Sequence, residues 1–320
     1  MERFRLLHMS DLHIGEGSFF AERGENRIRQ AKYGLRDLFF KPASLPRLLA
    51  VARFAYSERN RIEALLISGD LATRGTERAL QAALAFVDSP PANYWKNADQ
   101  IPTLRSAGRP IHLLPGNHDR FDEIGGAGTP LFDRVFKDYW TAGQGCAYVE
   151  LERKSGESLV LVFCDLTLSR NGASSFVTAW GQGKAYYDRV KDLVDCTARL
   201  RTKKPLAGIV WVLHFAPGFE GISHLLRLLD DEELIRAAEA EQSPVRYIFC
   251  GHTHLQRFYP VGSRKAVQVH CAGSAAQRCS HPNSLHLVDL EVTAGTVTKF
   301  DHRSVIFDPA EGFPPLESYS

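Results

Sequence analysis

The sequence predicts an α/β protein, and three observations predict it. Short apolar runs recur along the 320 residues, each ending at a polar cluster. Segments with helical spacing fill the gaps between them, the pattern of βαβ units around parallel strands. The C-terminal part is rich in strand-like runs, which predicts a second, more antiparallel sheet. Strands are expected at 3–9, 62–67, 110–114, 158–164, 207–213 and 245–250, then at 266–271, 285–291 and 296–302. Thr293-Ala294-Gly295-Thr296 reads as the hairpin turn between the last two. Helices are expected at 45–59, where Pro46 suits a first turn, and at 76–87, where Thr76 suits a cap. Two more are expected at 186–200 and 222–240.

What stops the apolar runs is more informative than the runs. MERFRLLHMS leads into Asp11-Leu12-His13, IEALLIS into Gly69-Asp70, and RPIHLLP into Gly116-Asn117-His118-Asp119. GIVWVL is closed by His214, and VRYIFC leads into Gly251-His252-Thr253-His254. Ligands of open α/β sheets bind beyond the carboxyl ends of the strands. Five strands therefore carry Asp, Asn and His to one rim, as a metal centre built from distant positions requires. Taken singly, an aspartate there is an ordinary cap and a histidine an ordinary structural residue. Jointly they form a pattern that chance does not supply. In an extended D-x-H or H-T-H segment, alternate side chains share a face. Gly69, Gly116 and Gly251 allow tight turns and close backbone approach. His8, His112 and His270 lie inside strand runs and read as structural.

Composition narrows the classes. Formal net charge is +2, with 44% hydrophobic and 24% charged residues, so no global basic excess favours a nucleic-acid coat. The six cysteines, Cys146, Cys164, Cys196, Cys250, Cys271 and Cys279, show no C-x-x-C spacing and read as reduced thiols. There is no signal-peptide pattern and no apolar stretch of about 18 residues, so a cytoplasmic location without membrane contact is expected. No repeat or linker divides the chain, and a single domain over 1–320 is expected. Two long segments, 15–44 and 120–157, are candidate lids or substrate walls. Residues 20–61 hold ten Lys/Arg against four Asp/Glu, which suits either a basic lid over phosphate or a solvated helix face. Arg23, Arg27 and Arg29 are its candidate substrate contacts. The aromatic group Phe132, Phe136, Tyr139 and Trp140 reads first as core.

The order D-x-H, G-D, G-N-H-D, H, G-H-x-H resembles the calcineurin-like metallophosphoesterases over residues 11 to 254, most closely the bacterial group similar to cyclic-AMP phosphodiesterases. The resemblance implies a four-layer α/β/β/α sandwich of two mixed sheets with a dinuclear centre at the strand ends. It implies that Asp11, His13 and His254 hold one metal, that Asn117, His214 and His252 hold the other, and that Asp70 bridges them. Carboxylate, amide and imidazole donors together suit Mn, Fe or Zn. The implied reaction is hydrolysis of a small phosphodiester by a metal-bridging hydroxide, with His118 as general acid. Asp119 either orients the His118 ring or caps the following segment. Thr73, where the bacterial group often has an acidic residue, and Asp119, where phosphoprotein phosphatases have Glu, narrow the resemblance. A nuclease of the same family and a non-catalytic scaffold on this fold are the alternatives. Oligomeric state is not legible.

Overall fold

The computed structural model describes residues 1–15, 43–88, 102–121, 130–140, 147–172, 181–221, 226–240, 244–277 and 281–315. Its strands in chain order are β1 (Glu2–Met9), β2 (Ala64–Ile67), β3 (Ile111–Leu113), β4 (Ala147–Glu152), β5 (Ser158–Phe163), β6 (Gly183–Lys184), β7 (Ala207–Val212), β8 (Leu228–Leu229), β9 (Tyr247–Cys250), β10 (Arg257–Val261), β11 (Val267–Cys271), β12 (Ser284–Thr293) and β13 (Thr296–Ile306). The helices are α1 (Leu45–Ser57), α2 (Glu77–Val87), α3 (Asn117–Arg120), α4 (Leu131–Val135), α5 (Tyr187–Lys203) and α6 (Asp231–Glu239).

The strands form two large mixed sheets and one small parallel pair, β6–β8. In the first sheet, ordered β13-β12-β1-β2-β3, the three N-terminal strands run parallel and β12 lies antiparallel beside β1. In the second, ordered β10-β11-β9-β7-β5-β4, the four central strands are parallel and the two edges antiparallel. The strand-rich C-terminal part therefore does not make a sheet of its own, contrary to the expectation from sequence. Its strands complete both sheets, because β12 and β13 pair back onto β1 while β10 and β11 extend from β9.

Side-chain alternation sets the layers. On β5, Leu159, Leu161 and Phe163 join the core shared with β1, β2, β12, α1 and α2, whereas Val160 and Val162 face the opposite way. The second core collects Ile209, Trp211, Ile248 and the buried faces of α5 and α6. The order across the molecule is α1/α2, first sheet, second sheet, α5/α6, the expected four layers. Local signals behaved as their chemistry requires. Pro46 sits in the first turn of α1, and the Thr76 side chain accepts from Ala79 N–H at 3.3 Å at the start of α2.

Two expectations need correction. The stretch 222–240 is not one helix: β8 occupies 228–229, and α6 begins only after Asp230, whose left-handed φ of 59° breaks the run. Residues 222–225 lie outside the described residues. Nor is 120–157 a plain loop, since α4 and the edge strand β4 lie within it. Phe132 and Phe136 are fully buried and Trp140 nearly so, making this aromatic group core. Most of 15–44 lies outside the described residues, but its ends return to one place, with Ala43 N–H donating to the His13 carbonyl at 2.9 Å. The four described cysteines are buried free thiols. Among the described residues no helix is long and apolar enough to cross a membrane.

Between the sheets lies a polar inclusion. His8 and His286 pair across β1 and β12 and face His270 on β11, with His8 Nδ1 and His270 Nδ1 3.1 Å apart. Burial holds all three imidazoles neutral: it pushes His8 down to about 3, and His270 and His286 well below the usual histidine range. A histidine with a lowered folded pKa stabilises the fold above its unfolded pKa near 6.5, and that contribution is lost as pH falls toward the folded value. Stability measured by urea unfolding should therefore fall between pH 7 and 5, with His8 alone contributing up to about 2 kcal/mol of the loss. A flat profile over that range would contradict the neutral buried inclusion.

Candidate metal centre

The five clusters converge at the seam between the two sheets. Asp11 and His13 follow β1, Asp70 follows β2 and Asn117 follows β3, all from the first sheet. His214 follows β7, and His252 and His254 follow β9, from the second. Alternation along an extended strand is not what aims Asp11 with His13 or His252 with His254. Both strands have ended, and the four residues take left-handed φ values of 54°, 49°, 71° and 57°. With Asp70 at 52°, these account for five of the eight positive-φ non-glycine residues among the described residues. Such backbone costs of order 1–3 kcal/mol per residue and persists only where the surroundings hold it.

Those surroundings are a network of backbone hydrogen bonds. Asp11 N–H donates to Gly69 O at 3.1 Å, His13 N–H to Asp70 O at 3.0 Å and Ile14 N–H to Leu71 O at 2.8 Å. Two glycines then admit close contact. A Cβ on Gly116 would overlap Asp70 Oδ1, and one on Gly251 would overlap the Ser10 hydroxyl and crowd Asp11 Oδ2.

Each aspartate is held by one oxygen and offers the other. Asp11 Oδ2 accepts from His252 N–H at 2.9 Å, leaving Oδ1 at 3.2 Å from His254 Nε2 and 3.6 Å from His13 Nε2. Asp70 Oδ1 accepts from His118 N–H at 2.9 Å, leaving Oδ2 at 3.3 Å from His214 Nε2 and 3.6 Å from His13 Nε2. His214 Nδ1 donates to Ser68 O at 2.8 Å, which turns Nε2 toward Asn117 Oδ1 and His252 Nδ1, each at 3.2 Å. His13 Nε2 and His254 Nε2 also meet at 3.2 Å. Two groups result, Asp11/His13/His254 and Asp70/His214/His252, and Asp70 Oδ2 lies between His13 and His214.

This donor set fits cations. Asp11, Asp70, His13, Asn117 and His214 are at most 1% exposed, and among the described residues no Lys or Arg pairs with either aspartate. Asp11 Oδ1 makes no hydrogen bond although two imidazole nitrogens flank it, and buried His252 Nε2 is likewise without a partner among the described residues. Ring nitrogens facing ring nitrogens and carboxylate oxygens are the arrangement of ligands around a shared ion. Without an ion, protons carry the balance. Burial opposes charge on His214, but Asp70 and Asp11 outweigh it and raise its pKa to about 9; burial likewise opposes the rise at His254, which Asp11 drives. Burial dominates at His13, lowered to about 4, and at His252, lowered to about 3 beside His214.

His118 borders this pocket from α3. Its Nδ1 donates to the Thr73 carbonyl at 2.9 Å, and its ring stands edge-on to His13 at 4.7 Å between centroids. The opposite nitrogen, Nε2, is thereby the one left for chemistry. Asp119 does not make the expected bond to that imidazole. Its buried carboxylate accepts from Gly116, Leu71 and Ala72 N–H at 2.8, 3.1 and 2.7 Å, clamping the loop after β3 to the loop after β2. Of the two roles read from sequence, the geometry matches the cap. Burial and the nearby Asp70 push Asp119 up to about 7 against these three bonds.

Several supporting residues carried no sequence signal of their own. Ser68 links His214 to His8, accepting from His214 through its carbonyl and meeting His8 Nε2 through its hydroxyl at 2.8 Å. Arg120, next to the G-N-H-D cluster, is buried and bonded to both Asp133 and Asp165, anchoring α3 to α4 and to the end of β5. Its position beside the motif was the available hint. Arg23, Arg27 and Arg29 lie outside the described residues. Farther along the basic segment, Arg47 on α1 bonds the Gln277 carbonyl and Arg59 lies over the Tyr56 ring.

The comparisons agree with this geometry. No curated protein sequence matches the chain. Among solved structures, a dimetal phosphatase from Danio rerio superposes with a TM-score of 0.54 at 13% identity, covering 95% of this chain and 99% of that one. The sulfate thiohydrolase SoxB of Thermus thermophilus gives 0.53 at 16% identity, covering 98% and 58%. A 5'-nucleotidase described as putative, from Staphylococcus aureus, gives 0.52 at 13% identity, covering 99% and 57%. The chain thus spans little more than half the length of the last two, and likeness at these identities speaks for the fold. The sequence model described as calcineurin-like phosphoesterase matches residues 4–256. The chain belongs to the calcineurin-like phosphoesterases, a dinuclear-metal-dependent family of hydrolases acting on phosphoesters.

Proposed function

We propose that the protein is a phosphodiesterase acting on a small substrate, a cyclic nucleotide or another small phosphodiester. The observation that carries this reading is the meeting of seven donor residues from both sheets with His118 beside them. Asp11, His13 and His254 would hold one ion, Asn117, His214 and His252 the second, and Asp70 both. Ions of the Mn, Fe or Zn type held there supply Lewis acidity at phosphorus and a hydroxide nucleophile near neutral pH.

The chain's own groups do the rest. The Asp11 and Asp70 carboxylates are fixed in advance by the His252 and His118 amides, so neither must reorganise during the reaction. Thr73 O holds the His118 ring and assigns its proton-bearing Nδ1, which leaves Nε2 to serve the departing oxygen. An alkoxide leaving from a diester needs that proton most, because it is a strong base. Order of motifs and chain length support the small-diester reading over a nuclease.

Four measurements test these assignments. With Mn, the protein should hydrolyse bis-p-nitrophenyl phosphate faster than p-nitrophenyl phosphate, and chelation should abolish both. A tenfold preference for the monoester, or greater turnover of single-stranded DNA than of cyclic AMP, would overturn the small-diester reading. His118→Ala should keep both metals yet lose about 100-fold or more in kcat on alkyl diesters, and less on p-nitrophenyl esters. Loss of a metal equivalent in that variant would make His118 a ligand instead. Asp70→Ala should lose the dinuclear centre by elemental analysis. Asp119→Ala exposes three buried N–H donors and should cost about 3 kcal/mol or more in urea unfolding, while leaving the ranking of leaving groups unchanged.

A further inference from the structure

The histidine inclusion between the sheets has a second property. His302 on β13 pairs with Val288, and His286 pairs with Ser304, so His286, His302 and Ser304 share one face of the first sheet. That face looks onto His270 of the second sheet. The His270 ring lies 5.0 Å from that of His286 and 5.1 Å from that of His302. One ring nitrogen from each of the three falls within 4.8 Å of the others. His270 and His286 are buried, whereas His302 is exposed at the sheet edge and opens the group to solvent.

An unmet demand points to a ligand. His270 Nε2 is buried and has no hydrogen-bond partner among the described residues. An imidazole N–H or lone pair stranded this way costs free energy unless something occupies it. Its other nitrogen meets His8 Nδ1 at 3.1 Å, and His8 Nε2 meets Ser68 Oγ at 2.8 Å. When His270 Nδ1–H donates to His8, Nε2 carries the lone pair a metal needs, and His8 takes the place of the outer partner that orients ligating histidines. His286 is bracketed by Ser284 Oγ at 3.1 Å and Ser304 Oγ at 3.3 Å. One hydroxyl can turn aside to free a nitrogen while the other keeps the ring oriented. Burial, which lowers the affinity of all three for protons, leaves them as neutral donors.

We propose that His270, His286 and His302 form an additional metal site, separate from the seven-residue centre and taking a divalent ion of the zinc or copper type. Three imidazoles without a carboxylate favour such ions over Mg or Ca. The remaining coordination position faces solvent through the sheet edge. The ion would tie β12 and β13 of one sheet to β11 of the other. Through His270, His8 and Ser68 it would also share a hydrogen-bonded chain with His214 of the main centre.

Tag-free protein saturated with Zn2+ and freed of unbound ion should carry one more equivalent than His302→Ala treated identically. His302 is exposed on an edge strand, so its removal spares the core. The readout is the difference between the two proteins and does not depend on how many ions the main centre holds. Cu2+ gives a second measurement: wild type should show nitrogen hyperfine structure in electron paramagnetic resonance that His302→Ala lacks. Equal zinc content in the two proteins, with identical copper spectra, would overturn the proposal.

Discussion

Two carboxylates buried in one pocket, Asp11 and Asp70, set the terms for the rest of the structure. An ionised carboxylate out of water is unstable unless positive charge or several donors compensate it. Here one oxygen of each takes a single backbone N–H, and the other faces only imidazoles. Four histidines and an amide are crowded around these oxygens at 3.2–3.6 Å. Cations are the compensation that this geometry is built to receive.

The topology follows from that demand. No single strand end can present seven donors, so loops from β1, β2, β3, β7 and β9 are brought to the seam where the two sheets meet. The cross-sheet bond from His252 N–H to Asp11 Oδ2 and the contact of Gly251 with Ser10 fasten the seam. Left-handed backbone at five donor positions turns each side chain inward just after its strand ends. Beneath the donors, Asp119 and Arg120 hold α3 in place through buried bonds, which keeps His118 beside the pocket.

Much of this was legible in the sequence because strand ends and donor residues coincide. The runs before Asp11, Asp70, Asn117, His214 and His252 marked the strands, and Gly69, Gly116 and Gly251 marked the tight approaches. What failed had physical causes. The C-terminal strands were assigned to a sheet of their own, since pairing of β12 with β1 joins residues some 280 positions apart and local pattern carries no partner. Alternation was the wrong reason for the right convergence at Asp11 and His13, because a backbone in the left-handed region does not alternate. Asp119 was read between two roles, and only its three amide partners distinguish them. His270 was read as structural from its strand, and the sequence does not show that His286 and His302 arrive beside it.

The central claim is that one pocket holds two ions through shared Asp70. Electron paramagnetic resonance of the Mn-loaded protein tests it most directly, since ions about 3.5–4 Å apart are magnetically coupled. The account predicts an exchange-coupled multiline signal at two equivalents of Mn, absent in Asp70→Ala. A simple six-line spectrum of isolated Mn at every loading would contradict it.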